Sequence, residues 1–333
     1  MRMTTHPDRE SWLEARRAGI GASDAAAVLG VYPWKSPFAC YVEKVTAVPG
    51  QDESEAMRAG NVLEPVVADW FARETEYELD DPGRFTIVEH PLLPWALATI
   101  DRYIVSERVY PDEAGDAGVI QVFPPAGRGV LEVKTTGARN EERWDEEAPL
   151  WVQVQVQHQL AVTGLAWGYA AVLIGGQKFR MFRMERNERF IETMLEAEEK
   201  FWNRVKSRNA PPVDATEQTT DLLRRLYPTA EPGVIVDLSR EMDEADAQLV
   251  GPARADIEKF DIDGIAERFG IRPALKVLEA RERELTNRIR SAIGTAEKGM
   301  LPSGVVWTSK EIQREAYTVP ASTYRNLTRK APK

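Results

Sequence analysis

The sequence predicts an α/β fold, with a mixed central sheet flanked by helices and a mostly helical region following it. Three observations carry this. Between Ser11 and Val205, segments with apolar residues at helical spacing are interspersed with short β-branched and aromatic runs. Two of those runs, Trp167–Ile174 and Lys178–Met184, meet at Gly175-Gly176, a hairpin signal. After Pro211-Pro212 the pattern changes to long, charged, helix-like segments. The double proline marks the expected boundary between a first domain, residues 1–210, and a second region, 211–333.

Taken in order, Ser11–Arg17 reads as a short helix broken by Gly19-Ile20-Gly21-Ala22. Ser23 reads as the N-cap of a second helix, Asp24–Leu29, which Gly30 ends. Ser36-Pro37 opens a third, with proline at the first helical position, running to about Lys44. Ser54–Arg73 is longer, with Leu63, Val66, Val67, Trp70 and Phe71 at helical spacing. Strand signals follow at Phe85–Val88, Trp95–Ile100, Tyr103–Val105 and Val130–Lys134. The stretch Pro111–Gly129, rich in Gly, Pro, Asp and Ala, reads as a loop or hairpin insertion.

Residues 152–157 alternate Val and Gln with the period of a strand, while Pro149 and Gly164 bracket them as they would a helix. The residue pattern leaves both readings open. Phe190–Val205, Asp237–Val250 and Pro273–Ile293 read as helices. In the last, Leu275, Leu278, Leu285, Ile289 and Ile293 form a narrow apolar stripe suited to a helical hairpin or short coiled coil. The tail, Gly304–Trp307 and Ala316–Pro320, is β-like.

Composition narrows the function classes. At 333 residues, 43% hydrophobic and 29% charged, the chain can bury a full core and is not disordered as a whole. No apolar run approaches the ~20 residues that span a bilayer. The polar start, Met1 to Trp12, lacks the apolar centre of a signal peptide. A cytoplasmic location and no membrane partner are therefore expected. Cys40 is the single cysteine, which excludes an intrachain disulfide and a cysteine-built zinc site. The three histidines, His6, His90 and His158, are scattered. The net charge of −10 argues against a protein that coats nucleic acid. Most of that excess lies in residues 1–210, with 24 Lys+Arg against 33 Asp+Glu. An acidic chain can still act on DNA if its basic groups line one channel.

One constellation carries chemistry. Glu132 and Lys134 are two apart on an expected strand and project to one face, while Leu131 and Val133 point to the other. Asp101 follows the strand-like Trp95–Ile100, and a neighbouring strand would bring it alongside. Two carboxylates there suit Mg²⁺, which keeps several waters. The lysine would orient or deprotonate a water for attack on phosphorus. An isolated Glu-x-Lys is also a common surface ion pair. Glu64 sits at the edge of the apolar stripe of its helix, where a carboxylate needs a partner: a metal, an arginine or a helix end.

Several segments together resemble the YqaJ-like viral recombinases, the phage alkaline exonuclease family related to lambda exonuclease within the PD-(D/E)XK nucleases. The resemblance begins at Trp12-Leu-Glu-Ala-Arg16-Arg17-Ala-Gly19-Ile-Gly21-Ala-Ser23-Asp24 and runs through Ala27-Val-Leu-Gly30 and Pro33-Trp34-Lys35-Ser36-Pro37. It continues with Gly60-Asn-Val-Leu-Glu64-Pro65, Ala98-Thr-Ile-Asp101 and Leu131-Glu132-Val-Lys134-Thr-Thr136, ending at Val154-Gln155-Val-Gln157 and Val162-Thr-Gly164. Each block is weak; their order and spacing over about residues 10–205 are specific.

The resemblance implies a PD-(D/E)XK core with Glu64, Asp101 and Glu132 as metal-binding acids and Lys134 as the catalytic lysine. It implies two Mg²⁺ ions, with Mn²⁺ as a substitute, and Arg16 and Ser23 as the residues that bind the 5′-phosphate of a DNA end. It makes 150–163 a helix, on which Gln155 and Gln157 position the lysine or the DNA. The two are about 200° apart, and Gln157 is the one expected to face the metals as part of the catalytic set. His158 is expected to be structural. The activity implied is 5′→3′ hydrolysis of one strand of linear duplex DNA, with a single-strand annealing protein as partner and a homo-oligomeric ring as the assembly, in a bacterial cytoplasm. The alternatives are a structure-specific endonuclease on the same core, or a non-catalytic DNA-binding or assembly protein. Two departures stand out: Arg102, where relatives often have glycine, and the long step from Asp101 to Glu132.

Overall fold

In the computed structural model, residues 2–46, 55–105, 127–250 and 258–309 are described. The expected insertion at Pro111–Gly129 falls mostly outside them, as does the β-like stretch Ala316–Pro320.

The centre of the molecule is β7 (Gly129–Thr136), which pairs on both sides. Its neighbours are β6 (Arg102–Val105), antiparallel, and β8 (Trp167–Ile174), parallel. The edges are β3 (Glu78–Asp80) on β6 and β9 (Lys178–Glu185) on β8. The order β3-β6-β7-β8-β9 is therefore a mixed sheet, as expected. The β8–β9 turn is the three-residue loop Gly175-Gly176-Gln177, whose two glycines both have positive φ, so the expected hairpin forms with one more residue in its loop.

The parallel step from β7 to β8 needs a crossover, and α5 (Leu150–Thr163) provides it. The Val-Gln repeat is thus helical, closed by Gly164 in the left-handed region. Helix α4 (Glu55–Thr75) covers the opposite face. Alternation along β7 sorts its side chains between the layers. Leu131 and Val133 pack with Val67, Ala68 and Phe71 of α4. Val130 packs with Val156 and Leu160 of α5, so Glu132 and Lys134 share the α5 face.

A second sheet positions the N-terminal segment. Its order is β1-β4-β5-β2, built from β1 (Arg2–Thr5), β4 (Thr86–Glu89), β5 (Ala96–Ala98) and β2 (Ile20–Gly21). Strand β2 lies parallel to β5. Gly19 permits this, because a Cβ there would stand 2.3 Å from the Trp95 carbonyl oxygen. Helix α1 (Arg9–Arg17) starts earlier than expected, capped by Asp8, whose carboxylate accepts from Ser11 N at 2.8 Å. Helix α2 (Ala22–Val28) is capped by Gly21, not Ser23. Ser23 falls inside the first turn, which frees its hydroxyl for Arg16. Helix α3 (Pro37–Val45) has Ser36 as its cap, as expected.

Helix α6 (Glu188–Lys206) packs on α5 through a polar pair inside an apolar core. His158 is 0% exposed, with Nδ1 2.8 Å from Glu198 Oε1 and Nε2 2.9 Å from the Leu97 carbonyl. Both ring nitrogens face acceptors, so the site favours an imidazolium. Burial opposes that charge, but Glu198 and the Leu97 carbonyl outweigh it and raise His158 above its ordinary value. The pair's contribution to stability is then full below about pH 6.5 and is lost as pH rises through the raised value. His158→Gln should cost more at pH 6 than at pH 9 in urea unfolding; an equal cost at both would show the pair is neutral throughout.

Beyond Pro211-Pro212 come α7 (Glu217–Leu226), β10 (Glu231–Asp237), α8 (Arg240–Val250), α9 (Ile262–Phe269), α10 (Ile271–Ile293), β11 (Ala296–Met300) and β12 (Val306–Thr308). Leu222 and Leu223 of α7 pack back on Phe38, Phe201 and Val205. A separate cluster joins Met242 and Ala245 to Leu285, Ile289 and Ile293. The apolar stripe of α10 is buried only in this C-terminal half; Leu275 is exposed. In the small sheet β10-β11-β12, the last strand overlaps the β-like stretch expected at Gly304–Trp307, while β10 and β11 were not expected, since they carry Glu231, Pro232, Gly233, Lys298 and Gly299 in place of an apolar alternation.

Candidate active site

Three elements converge on the α5 face of β7. Asp101 sits just before β6, and its Oδ2 accepts from the Val133 backbone N–H at 2.8 Å. Although 31 residues separate Asp101 from Glu132 in sequence, β6 and β7 pair directly, with Tyr103 opposite Val130, so the two acids are neighbours. Glu132 is 2% exposed. Its Oε1 accepts from Lys134 Nζ and from Gln155 Nε2 (2.7 Å), and its Oε2 from Gln159 Nε2 (2.6 Å).

Gln157 does not belong to this cluster. Its Nε2 donates to the Glu185 carbonyl at 2.7 Å and its Oε1 accepts from Asn187 N at 2.9 Å, so it anchors α5 to the β9–α6 junction. Gln155, expected to position the lysine or the DNA while Gln157 faced the metals, is the one on Glu132. Gln159 is one helical turn further along the same face and was not anticipated, although its i+4 relation to Gln155 is visible in the sequence.

Glu64 projects from α4 into the same cavity, where Arg102 Nη1 donates to its Oε1 at 3.1 Å. Arg102 also lies 3.4 Å from Asp81 Oδ2. Of the partners open to Glu64, the arginine is the one observed.

Electrostatics mark the acidic end of the cavity. Burial, then the Glu132 carboxylate and the Glu64 carboxylate, push Asp101 well above the usual carboxylate range, against Lys134 and the Val133 N–H. Burial would lower Lys134, but Glu132 and Asp101 outweigh it and hold the ammonium above its ordinary value. Crowded carboxylates of this kind are relieved by a cation. Among the described residues no three acidic, histidine or cysteine side chains are grouped to hold one ion. Asp101 and Glu132 fit the narrower requirement of Mg²⁺, which takes one or two carboxylates and leaves its other positions to water and phosphate.

The cavity, about 570 Å³, extends from these acids to Arg16 and Ser23. Arg16 Nη2 donates to Ser23 Oγ at 2.7 Å, and its guanidinium lies 4.8 Å from the Trp12 ring centroid. Behind this pair is a buried ion cluster that sequence reasoning missed. Asp24, 2% exposed, accepts from Lys35 and Lys44, each at 2.7 Å, and lies 3.7 Å from Arg16. These cations hold its carboxyl well below the usual range despite burial. Cys40, buried beside them, has its thiol pushed up to about 12 by burial and by Asp24.

The YqaJ-like viral recombinase domain matches residues 11–166, the span holding α1 through α5 and both ends of the cavity. The chain is 32% identical over 298 residues to the uncharacterized protein YqaJ of Bacillus subtilis (strain 168), covering 88% of this chain and 81% of that one. Among solved structures it is similar to an alkaline exonuclease from Laribacter hongkongensis, with TM-score 0.44 and 17% identity over 60% of this chain and 94% of that one. It is also similar to a phage-related exonuclease from Haemophilus somnus 129PT, with TM-score 0.36 and 9% identity over 57% of this chain and 96% of that one.

Proposed function

The chain belongs to the YqaJ-like viral recombinase family, and from that premise we propose that it is a phage-type recombination exonuclease that shortens one strand of linear duplex DNA 5′→3′. The observation that carries this reading is the joining of two chemistries in one cavity: Asp101, Glu132 and Lys134 at one end, Arg16 and Ser23 at the other.

The Arg16 guanidinium and Ser23 hydroxyl supply hydrogen-bond donors to a terminal 5′-phosphate. Asp101 and Glu132, and Glu64 once released from Arg102, would be the oxygen donors for Mg²⁺ or Mn²⁺, and two ions are what the family resemblance implies. When bound, the metal supplies polarisation of the scissile phosphate and a more acidic water. Gln155 and Gln159 hold the Glu132 carboxylate in one orientation. Lys134 offers N–H donors to the attacking water and to the charge that grows on the phosphate oxygens. The water oxygen bonds to phosphorus, the bond to the 3′ oxygen breaks, and that oxygen takes up a proton. A 5′-phosphate and a 3′-hydroxyl result. The remaining 3′ tail would pass to a single-strand annealing protein. A homo-oligomeric ring would let a chain of net charge −10 hold DNA through a basic lumen. Among the described residues no helix is long and apolar enough to cross a membrane, and a cytoplasmic setting accords with DNA as substrate.

The test compares three duplexes with Mg²⁺: linear with 5′-phosphate ends, linear with 5′-hydroxyl ends, and covalently closed circular. The phosphorylated linear duplex should be degraded fastest and the circle left intact. Arg16→Gln should lower the phosphate preference about 10-fold or more, the worth of a charge-assisted hydrogen bond. Cleavage of the circle at the rate of the linear form would overturn the exonuclease reading in favour of an endonuclease; no cleavage of any of the three would leave a binding or assembly role.

A further inference from the structure

A second cavity, about 550 Å³, lies far along the chain from the first, between α7, α10 and β12. Arg224 and Arg290 line it, together with Tyr227, Thr286, Trp307 and Thr308. None of its described lining residues is an aspartate or glutamate. The acids of this region, Glu217, Asp221, Glu279 and Glu282, line an adjoining hollow that shares Arg224, Thr286 and Arg290. These four carboxylates line the hollow and not the cavity, while Asp246 stands behind the cavity wall, where it is engaged by the Trp307 indole.

The two arginines are held differently. Arg224 pairs with Asp221 at 3.0 Å, both exposed. Arg290 is half-buried, and its Nη1 donates to the uncharged amide oxygen of Asn287 at 3.1 Å. Asn287 is 0% exposed and fixed on three sides. Its Nδ2 donates to the Asp214 carbonyl at 3.2 Å, and its Oδ1 also accepts from the Thr220 hydroxyl at 2.9 Å. A buried amide thus aims a guanidinium at the cavity without neutralising it. Burial and the like charge of Arg224 work against the Arg290 cation. A cation placed under that cost, with a second one in the same cavity and no described acid in the lining, is relieved by an anion.

The geometry points to a phosphate-binding site at Arg224 and Arg290, separate from the cavity at Asp101, that takes the phosphate of a nucleic-acid strand or of a free nucleotide. Two guanidiniums and the Thr286 and Thr308 side chains line one cavity, a donor set that suits an oxyanion with several acceptor oxygens. The volume exceeds that of a bare ion. Tyr227 adds an aromatic surface beside the arginines, a combination used to hold single strands through backbone and base together. The indole N–H of Trp307 is engaged by Asp246 at 2.6 Å, which fixes that ring in the wall.

The site is testable without cleavage, using the full chain in chelator. Binding of a fluorescent single-stranded oligonucleotide is followed by anisotropy across a salt series, and binding of inorganic phosphate and of a deoxynucleoside monophosphate by calorimetry. Arg290→Gln and Arg224→Gln should each weaken oligonucleotide binding and lower the slope of log affinity against log salt by about 0.7, the value for one strand phosphate. Arg290→Lys, which keeps the charge, should retain the slope and guards against a folding defect. If the oligonucleotide is unaffected but phosphate and mononucleotide binding is lost, the source is a free nucleotide. If all three ligands bind the glutamine variants as they bind wild type, or bind neither, there is no such site.

Discussion

Asp24→Ala is expected to destabilise the protein by roughly 3–5 kcal/mol, the range for removing one partner of a buried ion pair. Among the described residues Asp24 is the only carboxylate within salt-bridge distance of Lys44 and Arg16, while Lys35 retains Glu43 at 3.0 Å. Its removal leaves the Lys44 ammonium, almost fully buried, facing Lys35 with no counter-charge between them. The loss extends to the site, because Lys44 also donates to the Arg16 carbonyl at 2.9 Å and Asp24 Oδ2 accepts from Gly21 N at 3.3 Å. The turn that carries Arg16 toward Ser23 is therefore built on this carboxylate. The sign of the pH dependence follows from its depressed value. The contribution is present above the ordinary carboxylate pKa and is lost only as pH falls through the folded value, well below 3.8. Chemical denaturation of wild type and variant at pH 5 and pH 7 should give the same large difference at both. A difference under about 1 kcal/mol would mean that the cluster behaves as a surface ion pair.

That cluster also shows where the sequence stops being legible. The partners of Asp24 lie 11 and 20 residues away on the far side of a turn and a helix start, and no periodicity links them. Strand β7 was readable because Leu131 and Val133 alternate with Glu132 and Lys134, and alternation fixes which residues share a face. The rotation of α5 was not. Its buried residues, Val154 through Val162 without a gap, surround the helix, so no polar face shows which row meets β7. Spacing could establish that Gln155 and Gln157 point apart; only packing decides between them. The same limit applies to Ser23. An N-cap and a first-turn serine differ by two residues, less than the usual uncertainty of a helix boundary. Of the sheet β10-β11-β12 only the last strand, Val306-Trp307-Thr308, showed in the sequence; β11 carries glycine and charge, and the Pro232-Gly233 pair interrupts β10, so neither shows an alternation. Glu64 illustrates the reverse case. The need for a partner was evident from its place beside an apolar stripe, and the partner observed, Arg102, was the residue noted as a departure from the family pattern.

The second large effect is on turnover. Lys134→Ala is expected to lower the rate of linear duplex degradation about 10²–10⁴-fold, the range for losing a positioned proton-bearing group. The fold should survive. Lys134 lies at the border of the cavity, and without it Glu132 still accepts from Gln155 and Gln159. DNA binding in chelator should therefore stay within about twofold, which separates a loss of chemistry from a loss of structure. Lys134→Arg should not restore the rate, because a planar fork cannot place its donors where a compact ammonium does. The two glutamines then discriminate between the site as the sequence suggested it and the site as folded. Gln155→Leu removes a donor from Glu132 and should reduce turnover with little change in the unfolding midpoint. Gln157→Leu removes the clasp on the Glu185 carbonyl and Asn187 N–H, so it should lower the midpoint and leave turnover per folded molecule near wild type. The opposite pattern would mean that α5 sits rotated by half a turn from the arrangement described, and that Gln157 faces the metals after all. Undiminished activity in Lys134→Ala would remove the catalytic assignment altogether, whatever the glutamines do.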